Sequence, residues 1–132
     1  MNLTKSAEQE KVKKTTINQR VYSLHIQKAI AYIEKNITED LSLDEVVDYL
    51  KLNKTYFCKL FKENTGKTFS QYVNELRVEY SKKLLEETNL SILDIALAVG
   101  YNNSNYFHKA FKERLGVTPY NYRQLTKLAS NS

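Results

Sequence analysis

Two short stripes of polar and cationic side chains hold most of the chemistry this sequence could perform. Thr55, Cys58, Lys59 and Lys62 are spaced i, i+3, i+4, i+7, and Asn105, His108, Lys109 and Lys112 repeat that spacing fifty positions later. On an α-helix such a spacing defines one face. Its hydroxyl, amide, imidazole and ammonium groups can exchange hydrogen bonds with nucleic-acid base edges, and its lysines can neutralise phosphates with release of counterions. Lys54, Lys62 and Lys67 in the first copy, and Ser104, Lys112 and Arg114 in the second, are the candidate phosphate contacts. Lys54 and Ser104 fall at helix starts, where backbone N–H groups also attract anions.

Other chemistry finds no support in the residue pattern. Cys58 has no neighbouring base in sequence to activate it, and it reads as a small residue on the exposed stripe. His25 and His108 lack the remaining ligands of a zinc site. Asp44 and Asp94 fall at helix starts, where an acid complements the dipole. Without a nucleophile–base pair, a phosphate loop or a metal cluster, the sequence predicts a protein that is not an enzyme and holds no cofactor or metal. The aromatic pairs Tyr56/Phe57 and Tyr106/Phe107 share helical register with Phe61 and Phe111, which predicts core packing rather than base stacking.

The elements that must position the stripes are written as a duplication. Sliding the chain by fifty residues superposes 41–72 on 91–122 without a gap, pairing Leu43/Leu93, Asp44/Asp94, Asn53/Asn103, Phe57/Phe107, Lys59/Lys109 and Gly66/Gly116 as identities. In each copy a short helix, a tight turn and a longer helix make a helix-turn-helix. Ser42 and Glu45 have the form of a capping box ahead of Leu43, Val46, Val47 and Leu50, and Ser91 caps the second copy. Asn53 and Asn103 are placed to cap the longer helices, and Gly66 and Gly116 to end them. The longer helices carry apolar faces of Tyr56, Phe57, Leu60 and Phe61, and of Tyr106, Phe107, Ala110 and Phe111.

Three further helices frame these motifs. Tyr22, Ile26, Ile30 and Ile33 predict an amphipathic helix over 22–36. Thr68 and Gln71 open a helix running to about Glu87, and Thr118 with Pro119 opens the last one. With three Gly and one Pro, the expected fold is all-α: seven helices, two helix-turn-helix motifs and a long linker helix between them. Residues 1–20 are polar and lack apolar periodicity, which predicts a flexible leader or the remnant of a linker to a missing sensor or receiver domain. The domain proper is expected over 21–127, with a polar tail at 128–132. A net charge of +5 favours an anionic partner. No apolar run approaches a membrane span, no secretion signal is present, and one cysteine fits a reducing compartment, so no membrane and a cytoplasmic location are expected.

A linker helix of about twenty residues would span roughly 30 Å, close to the roughly 34 Å between two sites on one face of B-DNA. At these residues the sequence resembles the DNA-binding domain of AraC/XylS-type bacterial transcription regulators: RVEYSKKLL from Arg77, DIALAVGY at 94–101, NYFHKAFKERLGVTP at 105–119, and Tyr122 with Arg123. The likeness covers about 23 to 123. It implies two helix-turn-helix motifs whose third and sixth helices enter adjacent major-groove segments. It also implies promoter binding and, usually, activation with RNA polymerase as partner. Family base-contacting positions fall on Thr55, Cys58 and Lys59 in the first motif and on Asn105, His108 and Lys109 in the second. Lys59 and Lys109 stand where such regulators often carry Arg, so both lack the rigid guanine-reading fork. Lys54 and Ser104 replace a common helix-starting Pro.

The expected function is sequence-specific binding of double-stranded promoter DNA by a transcriptional activator. The competing expectation is a helical module that contacts RNA polymerase or a sensor protein, for which the sequence offers no apolar stripe beyond those the core needs. Because Thr55 and Cys58 differ from Asn105 and His108, the target is expected to be asymmetric or a direct repeat.

Overall fold

The computed structural model describes the backbone of residues 2–131 and the side chains of residues 17–130. The described residues form seven helices and no strand: α1 (Asn2–Asn36), α2 (Leu43–Leu50), α3 (Lys54–Thr65), α4 (Phe69–Glu87), α5 (Ile92–Ala98), α6 (Ser104–Leu115) and α7 (Pro119–Asn131). α1 begins at Asn2 rather than at Tyr22, so the stretch expected as a flexible leader has a helical backbone. No Gly or Pro interrupts 2–36, so nothing local stops the helix from extending N-terminally. For the same reason α7 runs through the expected polar tail as far as Asn131. Met1 and Ser132 lie outside the described residues, as do the side chains of 2–16.

Each motif has its own core. Ile26, Ala29, Ile33, Val46, Phe57 and Phe61 gather between α1, α2, α3 and the start of α4. Val78, Leu85, Ile95, Val99, Phe107 and Phe111 gather between the rest of α4, α5 and α6. α4 therefore belongs to both, giving Val73 to the first core and Val78 and Leu85 to the second. Its 19 residues span about 28 Å. The aromatic packing is duplicated: Phe57–Phe61 and Phe107–Phe111 centroids lie 5.4 and 5.7 Å apart, and Tyr72 and Tyr122 meet Phe61 and Phe111 edge-on at 5.3 and 5.5 Å. Burying each of these four Phe side chains contributes about 2–3 kcal/mol as an upper bound.

The duplication is not gapless. Ser42 and Ser91, one residue short of a fifty-residue shift, are the equivalent N-caps, and their hydroxyls accept from Glu45 N and Asp94 N at 3.1 and 3.0 Å. Val46 and Val47 then match Ile95 and Ala96, all buried. Asn102 is the inserted residue, after which Asn53 and Asn103 cap in the fifty-residue register. The apparent identities Leu43/Leu93 and Asp44/Asp94 are thus not structural equivalents. Leu93 and Leu97 occupy the places of the exposed Asp44 and Asp48, and they stand 53% and 50% exposed.

Two further sequence expectations change for local reasons. Glu45 does not return to the Ser42 N–H; its carboxylate interacts with the Tyr32 hydroxyl, which burial and this acid together hold above its usual pKa. The reciprocal capping box forms at Thr68 and Gln71, with bonds of 2.9 and 3.2 Å. Tyr106 is not a core residue but is 69% exposed. Its counterpart Tyr56 is covered by Tyr22 and His25 of α1, with centroids 6.1 and 6.2 Å away. Beside Tyr106 lie Asp40, Asn74 and Arg77, polar residues that leave a cleft open.

Candidate nucleic-acid interface

The two stripes are set by what their helices bury. With Phe57, Leu60 and Phe61 turned inward, α3 presents Thr55, Cys58, Lys59 and Lys62 to solvent. With Phe107 and Phe111 inward, α6 presents Asn105, His108, Lys109 and Lys112. The Asn53 side chain accepts from Tyr56 N at 3.0 Å and Asn103 from Asn105 N at 2.7 Å, fixing where each helix starts. Gly66 and Gly116, at φ 75° and 77°, end them with N–H bonds to Lys62 and Lys112 carbonyls. Lys59, Lys62, Lys109 and Lys112 make no ion pair among the described residues, so their charges face water.

The remaining candidate contacts differ in their freedom. Lys54 pairs with Asp44 at 2.9 Å, and its hydrogen bond to this acid raises the ammonium pKa. Both side chains are exposed, and such a pair exchanges readily for another anion. Ser104 is half-buried, and its carbonyl accepts the His108 Nδ1–H at 2.7 Å. That bond fixes Nδ1 as a donor; in the tautomer with its single ring proton there, Nε2 is the acceptor. Lys67 and Arg114 are turned along the protein: both reach the Glu75 carboxylate on α4, Arg114 at 2.7 Å, with Glu79 a further 3.5 Å partner of Arg114. The Lys67 bond, then the Arg114 charge, hold the Glu75 carboxyl below its usual pKa.

A buried junction behind the stripes escaped the motif reading. Arg77 donates to the Ile37 and Glu39 carbonyls, both at 2.9 Å, and its guanidinium lies 5.3 Å from the Tyr101 ring centroid. The Tyr101 hydroxyl donates to Asn74 Oδ1 at 2.8 Å. Gly100, at φ 105°, lies so close that a Cβ there would sit 2.6 Å from the Ile37 carbonyl oxygen and 2.9 Å from Arg77 Nε. Burial pushes the Tyr101 hydroxyl up to about 12, against the opposing Arg77 charge, and lowers the pKa of Arg77. Arg77 thus joins the loop entering motif one to the turn of motif two. Arg123 performs the analogous task from α7, donating to the carbonyls of Leu85, Leu90 and Thr88 at 3.1, 2.7 and 3.3 Å. A sequence signal did exist: Val73, Arg77, Ser81 and Leu85 step by four, placing an Arg and a Ser on a buried stripe.

No cluster of metal-binding side chains occurs among the described residues, and no helix there is long and apolar enough to cross a membrane. Residues 46–125 match the family model of a helix-turn-helix domain. The regulatory protein PocR of Salmonella typhimurium is 35% identical over 117 residues, covering 89% of this chain and 39% of that protein. The bifunctional transcriptional activator/DNA repair enzyme AdaA of Bacillus subtilis is 39% identical over 97 residues, covering 74% of this chain and 46% of that protein. The chain therefore spans less than half the length of these curated relatives. A solved AraC-type transcriptional regulator from Chromobacterium violaceum superposes with a TM-score of 0.71 at 30% identity, covering 79% of this chain and 93% of that one.

Proposed function

The chain belongs to the AraC-type helix-turn-helix family of DNA-binding transcription regulators, and on that premise we propose that it activates transcription by reading a double-stranded promoter element with α3 and α6 in adjacent major-groove segments. Its family and fold are those of regulators rather than enzymes. The observation that carries the reading is the paired outward face: each motif turns four polar residues at identical spacing away from a Phe-filled core. In this reading Thr55, Cys58, Lys59, Asn105, His108 and Lys109 meet base edges, while Lys54, Lys62, Ser104 and Lys112 meet phosphates. In the Nδ1–H tautomer, Nε2 of His108 would accept from a base amino group, on adenine N6 or cytosine N4. RNA polymerase is the protein partner and the location is cytoplasmic.

A second reading, a helical module that contacts RNA polymerase or a sensor protein, gains one observation that the sequence did not offer: the exposed Leu93 and Leu97 on α5. The two readings separate by selection from a random duplex pool. Tandem reading predicts one asymmetric element, with Lys59→Ala relaxing preference in one half and Lys109→Ala in the other. Recovery of no sequence preference would favour the interaction module.

A further inference from the structure

We infer that Glu75 is a positioning residue that fixes the spacing between the two DNA segments the chain accepts, by holding the far ends of both recognition helices to the linker helix. This rests on the tandem reading above. Lys67 directly follows the Gly66 that ends α3, and Arg114 lies in the last turn of α6. Both converge on the one Glu75 carboxylate, which is only 22% exposed. The other ion pairs among the described residues, apart from Arg114 with Glu79, do not cross between motifs: Lys54 with Asp44 stays within motif one, and Lys82 with Glu79 stays within α4.

The packing of α6 on α4 is open beside this contact. Between α6 and the start of α4 lies an open trough of about 460 Å³, lined by Lys67, Gln71, Asn74, Ala110 and Glu113 beside the ion pairs. The Phe107 and Phe111 rings that anchor α6 face the second core, on the side of the helix away from the exposed stripe. The turn leading into α6 is pinned by Gly100 and Tyr101 against Arg77. Its last turn is pinned across the trough by Arg114 and Glu75. The last turn of α6 also packs Leu115, with Val117 beyond it, against the second core, so the ion pair limits the remaining play of that end rather than being its sole anchor. Two recognition helices held rigidly accept one separation of their sites, because half-site spacing follows from the geometry of the protein. Loosening one of them widens the accepted range and lowers the effective concentration of the second motif at its site.

The test measures affinity for duplexes carrying the selected element with one or two base pairs inserted or deleted between its halves. The intact chain is expected to prefer one spacing by about tenfold over its neighbours. Glu75→Gln and Arg114→Gln should each lower that preference to about threefold or less, with the loss concentrated on the preferred spacing. The double variant should go only slightly further, since the shared contact is already lost in each single variant and only Lys67 with Glu75 or Arg114 with Glu79 remains to be removed. Arg114→Lys, which keeps the charge, should retain most of the preference. Melting curves at neutral pH establish that each variant is folded. An unchanged spacing preference in Glu75→Gln overturns the inference while leaving tandem reading intact. So does a second pattern: Glu75→Gln binding every spacing more tightly, with Arg114→Gln weakening every spacing equally and flattening the salt dependence. That pattern would make Lys67 and Arg114 phosphate contacts that Glu75 merely occupies. Absence of any duplex preference in the intact chain would remove the tandem reading and this inference together.

Discussion

Gly100→Ala probes the junction between the motifs more sharply than any side-chain deletion. At φ 105° an L-residue is strained whatever the space around it, at a cost of about 1–2 kcal/mol. The added methyl would also sit 2.6 Å from the Ile37 carbonyl oxygen, which is backbone and cannot swing aside. Relief requires the loop after α1 to retreat from Arg77, breaking the 2.9 Å bond from Arg77 Nε. Losing a charged, buried hydrogen bond costs about 1.5–3 kcal/mol. Together these give roughly 3–5 kcal/mol, which for a domain of this size lowers the melting temperature by about 10–20 °C. Gly66→Ala and Gly116→Ala supply the control. Both glycines have φ near +75°, yet a Cβ at either meets nothing within 4 Å, so each should cost only about 1 kcal/mol. Thermal unfolding followed by far-ultraviolet circular dichroism compares the three. If Gly100→Ala melts within a few degrees of Gly116→Ala, the close approach does not hold the motifs together and the reasoning fails.

Three other consequences can be measured on the same protein. Tyr101 keeps its proton more tightly folded, at about 12, than unfolded, near 10. Its contribution to stability is therefore undiminished below pH 10 and falls between 10 and 12 by up to about 1.4 kcal/mol per pH unit; Tyr101→Phe should remove that contribution from alkaline melts, with Tyr122, also pushed up to about 12, leaving a fall of its own. Glu75 has the opposite sign: its depressed pKa stabilises the fold above the unfolded carboxyl value and the benefit is lost as pH falls through the folded one. Melts of Glu75→Gln and the intact chain should accordingly differ by about 1 kcal/mol at pH 7 and converge in acid. Leu93→Asp and Leu97→Asp restore the residue type found at the equivalent exposed positions of α2, and each should change stability by no more than about 0.5 kcal/mol; a loss above about 2 kcal/mol would return both leucines to the core.

Most of the fold was legible because helices announce themselves locally. Ser42, Asn53, Thr68, Ser91 and Asn103 cap the helices they were expected to cap, and Phe57, Phe61, Phe107 and Phe111 occupy the cores their periodicity predicted. The exposed stripes followed from the same periodicity. Long-range placement was less visible. The insertion of Asn102 was hidden because Leu43/Leu93 and Asp44/Asp94 matched by chance in the gapless register. Tyr106 looked like Tyr56, yet whether a flank position is covered depends on the neighbouring helix: α1 offers Tyr22 and His25, α4 offers Asn74 and Arg77. Lys67 and Arg114 read as free cations until α4 brought Glu75 between them. Composition gives the charge of a side chain but not the partner that folding supplies.

The central claim, that both motifs engage the duplex together, is tested most directly by the slope of log affinity against log salt for the intact chain, Lys62→Ala, Lys112→Ala and the double variant on a selected duplex. Each lysine that neutralises a phosphate contributes about 0.9 to that slope. Loss of about 0.9 for each single variant and about 1.8 for the double is the predicted result. A slope that does not respond to either lysine, or responds to one alone, would contradict tandem engagement.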